Sequence, residues 1–434
     1  MRFPGGRPWG WAALWGCFLA PMFFGTYIGA LELTALRDHV PTLVFDWERH
    51  LPFLAWTVVP YWSEDLFYAL SLFLCLTRAE LNRHASRLVL AQAVAIPIFL
   101  LFPLRLVSTI PADTGIFAPW FEALGGVCTR PFNLAPSLHV AIAIILGVRY
   151  ARHLRGPWRW LSNAWFTLIA LSTLTTWQHH FFDIPTGAML GAFCVWALPE
   201  EGPSPLRGLT LTHDPRRWRL AALYTAGAAL CLVLAWSVGG TALWLLWPAQ
   251  SLLLVSFAYA AAGERLFQKD ASGRMSAAAQ VLLYPYVVGA RISAALFTRH
   301  LPDSEVVDGV RLGRLAPSGT TSVVDLSAEL PAPAHADWRC LPTLDLVPPA
   351  PELLCEAARH IEARVVEGRT VLVCCALGFS RSAAAVATWL AASGRASDVD
   401  GALALVRAAR PRVVLGEADR AVIDEAVRRL RETR

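Results

Sequence analysis

Long apolar stretches separated by short charged segments fill the first 262 residues of the chain. Eight of these stretches have the composition of membrane helices, although three are short for a full crossing. They cover residues 11–31, 66–76, 88–107, 136–148, 165–176, 182–198, 221–238 and 243–262. The pattern predicts a multi-pass α-helical membrane domain. No small-residue cleavage site follows the first stretch, so we expect this stretch to remain as an anchor.

The pattern changes to that of a soluble α/β domain in the last third of the chain. Apolar runs at residues 323–326 and 371–375 predict buried strands, and amphipathic periodicity predicts helices at 351–366, 381–393, 399–410 and 415–430. About 130 residues suffice for one hydrophobic core. The sequence thus predicts four parts: a membrane domain (1–200), two additional transmembrane helices (201–262), a connector (263–304) and an α/β domain (305–434).

The connector contains a further apolar segment, residues 277–297. Tyr284, Pro285, Tyr286 and Arg291 interrupt this segment, and this composition favours a helix that lies in the membrane interface over one that crosses the bilayer. We therefore expect the α/β domain to stay in the cytoplasm, where a reducing environment also suits free thiols.

Composition and charge agree with a membrane protein. Hydrophobic residues make up 55% of the chain and charged residues 16%, which excludes an ordinary soluble protein. The net charge of +5 comes from arginines near alternate ends of the spans, so binding to nucleic acid is not expected. These arginines predict cytoplasmic faces, and the scarcity of lysine favours a bacterial inner membrane. They are Arg2, Arg7, Arg78, Arg83, Arg87, Arg149, Arg152, Arg155, Arg159, Arg207, Arg216, Arg217 and Arg219.

The segment VLVCCALGFSRS, residues 371–382, carries the most informative chemistry. It places Cys375 at the end of a predicted strand, and Arg381 and Ser382 at the start of an alanine-rich helix. Backbone N–H groups that converge at a helix N-terminus bind phosphate and stabilise a thiolate. The planar Arg381 guanidinium can hold two phosphate oxygens. The segment therefore predicts a nucleophile and its phosphate clamp; the alternative is a cysteine that is only a small buried side chain.

This segment resembles the signature loop of the dual-specificity branch of the Cys-dependent phosphatases, and the resemblance extends over residues 305–430. The resemblance implies that Cys375 attacks phosphorus, Asp345 protonates the leaving oxygen, Arg381 and Gly378 bind the phosphate, and Ser382 helps to release the phosphocysteine. The family usually has His before the nucleophile, where this chain has Cys374.

A second constellation lies within the membrane part. His179 and Asp183 are four residues apart, so a helix would place them on one face. The carboxylate could then fix the imidazole tautomer and leave the other ring nitrogen free to attack. His139 would act as an acid across the site, and Arg130 and Ser137 would bind phosphate. Such a site transfers a phosphoryl group without a metal ion.

Three short motifs in this part resemble the type-2 phosphatidic acid phosphatase superfamily: Arg-Pro at 130–131, Pro-Ser-x-His at 136–139 and His-x3-Asp at 179–183. The resemblance implies a six-helix core and a phosphohistidine intermediate on His179. A lysine and an arginine expected from that family fall on Ala123 and Thr173. Residues 172–179 are instead similar to the sphingolipid synthase branch, which favours transfer of a phosphodiester head group.

Together these features predict a bifunctional membrane phosphatase or phosphotransferase that acts on phospholipids, with the histidine site facing outward and the cysteine site in the cytoplasm. No metal or cofactor is expected, because the remaining cysteines lack metal-ligand spacing. Three alternatives stay open: a single-activity enzyme whose tail is a phosphate-binding regulatory module, a membrane-anchored protein phosphatase, and a transporter or scaffold. The sequence leaves the head group and the oligomeric state open.

Overall fold

The computed structural model describes residues 6–127, 132–315, 322–333 and 337–432. Within these ranges the chain forms two compact units, Met1–Ser204 and Pro205–Arg434. Unit 1 is helical. Its described helices are α1 (Trp9–Ala35), α2 (Val58–Leu74), α3 (Arg78–Leu101), α4 (Ala118–Val127), α5 (Leu138–His153), α6 (Pro157–Thr175) and α7 (Asp183–Ala197). All except α4 overlap a predicted span.

The third helix begins earlier than the predicted span at residues 88–107. Thr77 caps α3 by accepting a hydrogen bond from the backbone N–H of Glu80, so the helix starts at Arg78. Its Arg87 is fully buried and bonds to Glu200 at 2.5 Å, and Arg149 of α5 is equally buried against the same carboxylate at 2.7 Å. Both arginines therefore lie within helices, so the expectation that they lie in loops between spans is wrong, and the side of the membrane that they face stays a prediction. Buried arginines with carboxylate partners do not end a helix.

Two glycines bring α5 and α7 close together. A Cβ added at Gly187 would come within 2.5 Å of the Ser137 carbonyl oxygen, and one at Gly191 within 2.9 Å of the Ala141 carbonyl oxygen. Any larger residue would push the helices apart. The close approach also allows the backbone N–H of Ser137 to donate to the carbonyl of Asp183 at 3.1 Å.

Unit 2 starts with three helices, α8 (Pro215–Val238), α9 (Leu246–Phe257) and α10 (Ala277–Thr298). After Phe257 the chain continues as a π-helical turn, Ala258–Ala262, and a 3-10 turn, Gly263–Phe267. A five-stranded sheet follows, in the order β1-β2-β5-β3-β4. Its strands are β1 (Ser304–Val307), β2 (Val310–Arg314), β3 (Ser322–Ser327), β4 (Trp338–Thr343) and β5 (Val371–Cys375). Only β1 is antiparallel to its neighbour.

Four helices complete the α/β part: α11 (Pro351–Val366), α12 (Arg381–Ser393), α13 (Val399–Ala409) and α14 (Glu417–Glu432). The predicted helices at 351–366 and 381–393 and the strand at 371–375 are confirmed to the residue. The strand predicted at 323–326 is confirmed within β3, and α13 and α14 are shifted by one or two residues. β1, β2 and β4 were not predicted. All five residues of β5 are buried, as expected for the central strand of a covered sheet.

Five of the described helical segments are long and apolar enough to cross a membrane. They are Trp9–Ala35, Arg78–Leu101, Pro215–Val238, Gly240–Phe267 and Ala277–Thr298. The helices α2, α5, α6 and α7 are shorter, at 17, 16, 19 and 15 residues. The last of the five segments is α10, whose placement in the membrane interface stays a prediction.

Lys269, the only lysine of the chain, joins the helices of unit 2 to the sheet. Its side chain is fully buried, and Nζ bonds to Asp325 Oδ2 at 2.5 Å and to the carbonyl oxygen of Ser327 at 2.7 Å. A buried ammonium group needs such partners, because an unpaired charge in the protein interior is very costly. The connector is thereby held at the carboxyl end of β3, the same edge of the sheet at which β5 ends.

Candidate active sites

The loop after β5 surrounds the sulfur of Cys375 with hydrogen-bond donors. The backbone N–H of Gly378 donates to Sγ at 3.2 Å, and the hydroxyl of Ser382 donates to it at 3.3 Å. Cys375 ends the central strand and Arg381 opens α12, so the helix N-terminus points at the loop. Donors and a helix N-terminus both favour an anion at this position, either a thiolate or a phosphate.

Gly378 is required by the loop geometry. Its φ of +72° lies in the left-handed region, and an added Cβ would come within 2.4 Å of the carbonyl oxygen of Gly313. Arg410 supports the same loop by donating to the carbonyl oxygen of Leu377 at 3.4 Å, and its guanidinium lies 5.5 Å from the ring centroid of Phe379. Arg410 therefore has a structural role in holding this loop.

Arg381 is held by a carboxylate that sequence analysis did not identify. Its Nη1 and Nη2 atoms bond to the two oxygens of Glu329 at 2.8 and 2.6 Å, and Nη1 also donates to the carbonyl oxygen of Thr343 at 2.8 Å. Burial alone would lower the pKa of Arg381, but the carboxylates of Asp345 and Glu329 raise it well above its usual value. The guanidinium therefore stays charged and fixed in orientation. Glu329 follows β3, and a carboxylate directly after a parallel strand is the signal that could have revealed it.

Asp345 lies in the loop after β4, next to the guanidinium of Arg381. Its Oδ1 is 2.9 Å from Nη2 of Arg381, so the structure brings the predicted acid and the predicted clamp together. Burial raises the pKa of Asp345, and the charge of Arg381 opposes this effect without cancelling it. A raised pKa keeps the carboxyl group protonated to higher pH, which is the form that a general acid needs.

Cys374 lies on the opposite face of the sheet from Cys375. It packs with Val323 and Leu372 in a small apolar cluster, whereas Cys375 belongs to the main core of the α/β part. Its partner residue across the sheet is Asp325, the carboxylate bound by Lys269. Burial and the charge of Asp325 raise the pKa of the Cys374 thiol well above its usual value.

His179 and Asp183 meet in unit 1, but not on a single helix. His179 lies in the turn between α6 and α7, and Asp183 is the first residue of α7, so the prediction of one shared helical face is wrong. The turn achieves the contact because Asp183 Oδ2 accepts hydrogen bonds from His179 Nδ1 at 3.0 Å and from the backbone N–H of His180 at 2.9 Å. The carboxylate thus orients the imidazole, and His179 Nε2 lies 3.2 Å from Ser137 Oγ.

His139 faces His179 at 6.2 Å between ring centroids. It stacks on Tyr61 at 4.2 Å, and its Nε2 is 3.6 Å from Glu64 Oε2. Tyr61 and Glu64 both belong to α2. Glu64 thus provides His139 with a carboxyl neighbour, as Asp183 does for His179.

Other predicted members of this site have different outcomes. Arg130 lies outside the described residues. His180 is bound by Glu48 at 3.3 Å and accepts from the backbone N–H of Val107 at 3.3 Å, so its nitrogens are engaged by groups other than His179 and His139. Thr173, at the position of an expected arginine, is buried, and its hydroxyl donates to the carbonyl of Ala170. Among the described residues no group of three or more His, Cys, Asp or Glu side chains could hold a metal ion.

Comparisons with known proteins match part of the chain only. No family model and no curated relative matches. Solved structures of phosphatases are similar to about a third of this chain. The active form of Tk-PTP is 25% identical, with 30% of this chain and 99% of that chain covered and a TM-score of 0.26. A human DUSP28 variant is 24% identical, with 31% and 99% covered and a TM-score of 0.28. PTPMT1 in complex with PI(5)P is 16% identical, with 30% and 97% covered and a TM-score of 0.27.

Proposed function

We propose that this chain is a bifunctional membrane phosphatase or phosphotransferase acting on phospholipids, with one phosphoryl-transfer site in each unit. The observation that supports it most is the arrangement at Cys375, where two donors contact the sulfur and a carboxylate-oriented arginine lies beside a carboxylic acid. This set contains every group that hydrolysis of a phosphate monoester through a covalent intermediate requires.

At the cysteine site the reaction has two steps. The Cys375 thiolate attacks phosphorus, the P–O bond to the leaving group breaks, and Asp345 gives its proton to the departing oxygen. Water then attacks the phosphocysteine with Asp345 as the base, inorganic phosphate leaves, and the Ser382 hydroxyl donates to the sulfur as it regains its negative charge. Throughout, Arg381 and the loop amides, including that of Gly378, bind the phosphoryl oxygens.

At the histidine site we propose that His179 Nε2 attacks phosphorus while the protonated His139 supplies a proton to the leaving oxygen. Asp183 stabilises the positive charge that develops on His179, and Ser137 donates to a phosphoryl oxygen. An incoming lipid hydroxyl or water then gives its proton to the now neutral His139 and attacks phosphorus, and the bond between phosphorus and His179 Nε2 breaks. Each histidine has a carboxyl neighbour: Asp183 lies next to His179, and Glu64 lies next to His139. This arrangement supports a catalytic role for the two imidazoles over a purely structural one.

Trapping the covalent intermediates tests the proposal. The full-length protein in detergent micelles is incubated with a panel of phospholipid phosphomonoesters and phosphodiesters, quenched, and mapped by peptide mass spectrometry. We expect phosphate on the peptide containing Cys375 and, with a phosphate or head-group donor lipid, on the peptide containing His179. Turnover with label on only one peptide would indicate a single-activity enzyme, and no turnover with any lipid would contradict the proposal.

Asp345→Asn is expected to reveal the general acid through the pH profile. The carboxyl group acts in its protonated form, so wild-type kcat/KM for an alkyl phosphate should fall as pH rises through the raised pKa of Asp345. The amide does not titrate, so the variant should lose this falling limb and should lose about 10²- to 10⁴-fold in rate at low pH. The measurement is kcat/KM against pH in a chain that also carries His179→Ala. An unchanged falling limb would assign the proton to another group.

A further inference from the structure

Three tyrosines on the helices of unit 2 form a cluster, which we call the tyrosine cluster: Tyr224 on α8, Tyr259 in the π-helical turn and Tyr286 on α10. The rings of Tyr224 and Tyr259 stack at 5.5 Å between centroids, and those of Tyr224 and Tyr286 meet edge to face at 5.8 Å. The three tyrosines therefore form one connected group of aromatic rings.

This cluster adjoins the cysteine site through a direct hydrogen bond. The hydroxyl of Tyr259 donates to the backbone carbonyl oxygen of Asp345 at 2.9 Å. Tyr259 itself is only 1% exposed, and its backbone carbonyl accepts from Nε of Arg217 at 2.9 Å. A buried side chain with a bound backbone is a rigid donor, so the loop that carries the general acid is attached to a fixed point on the helices.

The loop needs such an external support. Leu346, directly after Asp345, has φ of +58°, a left-handed conformation that is unfavourable for leucine and persists only where the surroundings enforce it. Leu346 is also 66% exposed, so packing of its own side chain supplies little of that support. The hydrogen bond from Tyr259 to the preceding carbonyl restrains the peptide unit between the two residues.

Placement of this loop decides where the Asp345 carboxyl group lies. In the structure the carboxyl group is paired with Arg381, and a small rotation of the loop would move it away from the position of a leaving oxygen. A misplacement of about 1 Å in such a site costs on the order of 10²-fold in rate. The restraint from Tyr259 therefore acts on the proton-transfer step, and it leaves the thiolate attack untouched.

We propose that Tyr259 is a positioning residue for the general acid of the cysteine site, so that the helices of unit 2 are a working part of that site and not only its membrane anchor. This inference rests on the function proposed for Cys375. It also narrows the substrate class, because α8, the helix of Tyr224, carries strongly exposed apolar side chains at Leu230, Val233 and Trp236. A site completed by such helices suits an alkyl phosphate monoester held in a lipid surface, whose leaving alkoxide requires a well-placed acid.

The test compares two leaving groups in the full chain carrying His179→Ala, so that turnover comes from the cysteine site. Tyr259→Phe removes only the hydroxyl. We expect it to lower kcat/KM by about tenfold for a short-chain phosphatidic acid, whose alkoxide needs protonation, and by less than about twofold for para-nitrophenyl phosphate, whose leaving group does not. The falling limb of the pH profile for the alkyl substrate should weaken in the same direction as in Asp345→Asn.

Tyr284→Phe is the matched control, because Tyr284 is on α10 and 51% exposed, stacked on Trp247 outside the tyrosine cluster. We expect it to leave both substrates unchanged. Equal losses on both substrates in Tyr259→Phe, or no loss on either, would overturn the positioning role. Failure of the proposed function would look different: Cys375→Ser in the same background would then hydrolyse both substrates as fast as its parent.

Discussion

Replacing Cys375 with serine is expected to lower kcat/KM for phosphate monoesters by at least about 10⁴-fold. The groups that contact Sγ are donors, the Gly378 N–H and the Ser382 hydroxyl, and donors stabilise an anion without removing a proton. A thiol is intrinsically far more acidic than an alcohol, and the thiolate is the nucleophilic form, so a serine hydroxyl at the same position would keep its proton. The variant would thus retain the phosphate site and lose the nucleophile.

Cys374→Ser is the control for this substitution, since it makes the same chemical change one residue earlier. Its side chain lies on the other face of the sheet, so we expect kcat/KM within about threefold of the wild-type value. The measurement is release of inorganic phosphate from para-nitrophenyl phosphate and from a phosphatidic acid, in chains that carry His179→Ala. If Cys375→Ser and Cys374→Ser behave alike, the cysteine site is a phosphate-binding module and not an enzyme.

Asp183→Asn is expected to lower turnover at the histidine site by about 10³- to 10⁴-fold while leaving the cysteine site unchanged. The Asp183 carboxylate accepts from His179 Nδ1 and thereby keeps the lone pair on Nε2, the atom next to Ser137. An asparagine could present its N–H₂ group to Nδ1 instead, which would favour the wrong tautomer. It would also leave the cationic phosphohistidine without a counter-charge.

Glu48→Gln provides the matched comparison, because it makes the same carboxylate-to-amide change at the partner of His180, the adjacent histidine. We expect a loss of less than about tenfold from this change, which acts on the support of the turn and not on the reacting ring. Both variants are measured as lipid product formation in chains carrying Cys375→Ser. Equal losses in Asp183→Asn and Glu48→Gln would show that the turn, and not the orientation of His179, limits the rate.

The elements of the α/β part followed closely from the sequence. Helices α11 and α12 and strand β5 begin and end at the predicted residues. Their hydrophobic periodicity is clear, and start and stop signals in the sequence flank each of them. The sequence did not predict strands β1, β2 and β4. They are only four to six residues long, and they include Gly313, Pro342 and several charged side chains, which are uncommon in strands. Such strands form because a neighbouring strand supplies hydrogen bonds, which local sequence does not report.

In unit 1 the sequence predicted the presence of the helices more accurately than the residues at which they begin and end. The span predicted at residues 88–107 begins about ten residues after α3 does, because arginines near the start of α3 lower the hydropathy of that segment. Arg87 is in fact neutralised by Glu200, a residue 113 positions further along the chain. Burial of a charge with its partner depends on distant segments meeting, so hydropathy along the chain misjudges it.

Spacing along the chain was enough to predict which side chains lie near one another in both candidate sites, because these groups sit in short motifs: Cys375, Arg381 and Ser382 within eight residues, and His179 and Asp183 within five. Folding was needed to bring in the groups that orient them. Glu329 meets Arg381 across 52 positions and Tyr259 meets Asp345 across 86. Within one motif the backbone limits where side chains can go, whereas contacts over such separations exist only once helices and strands have packed into their final arrangement.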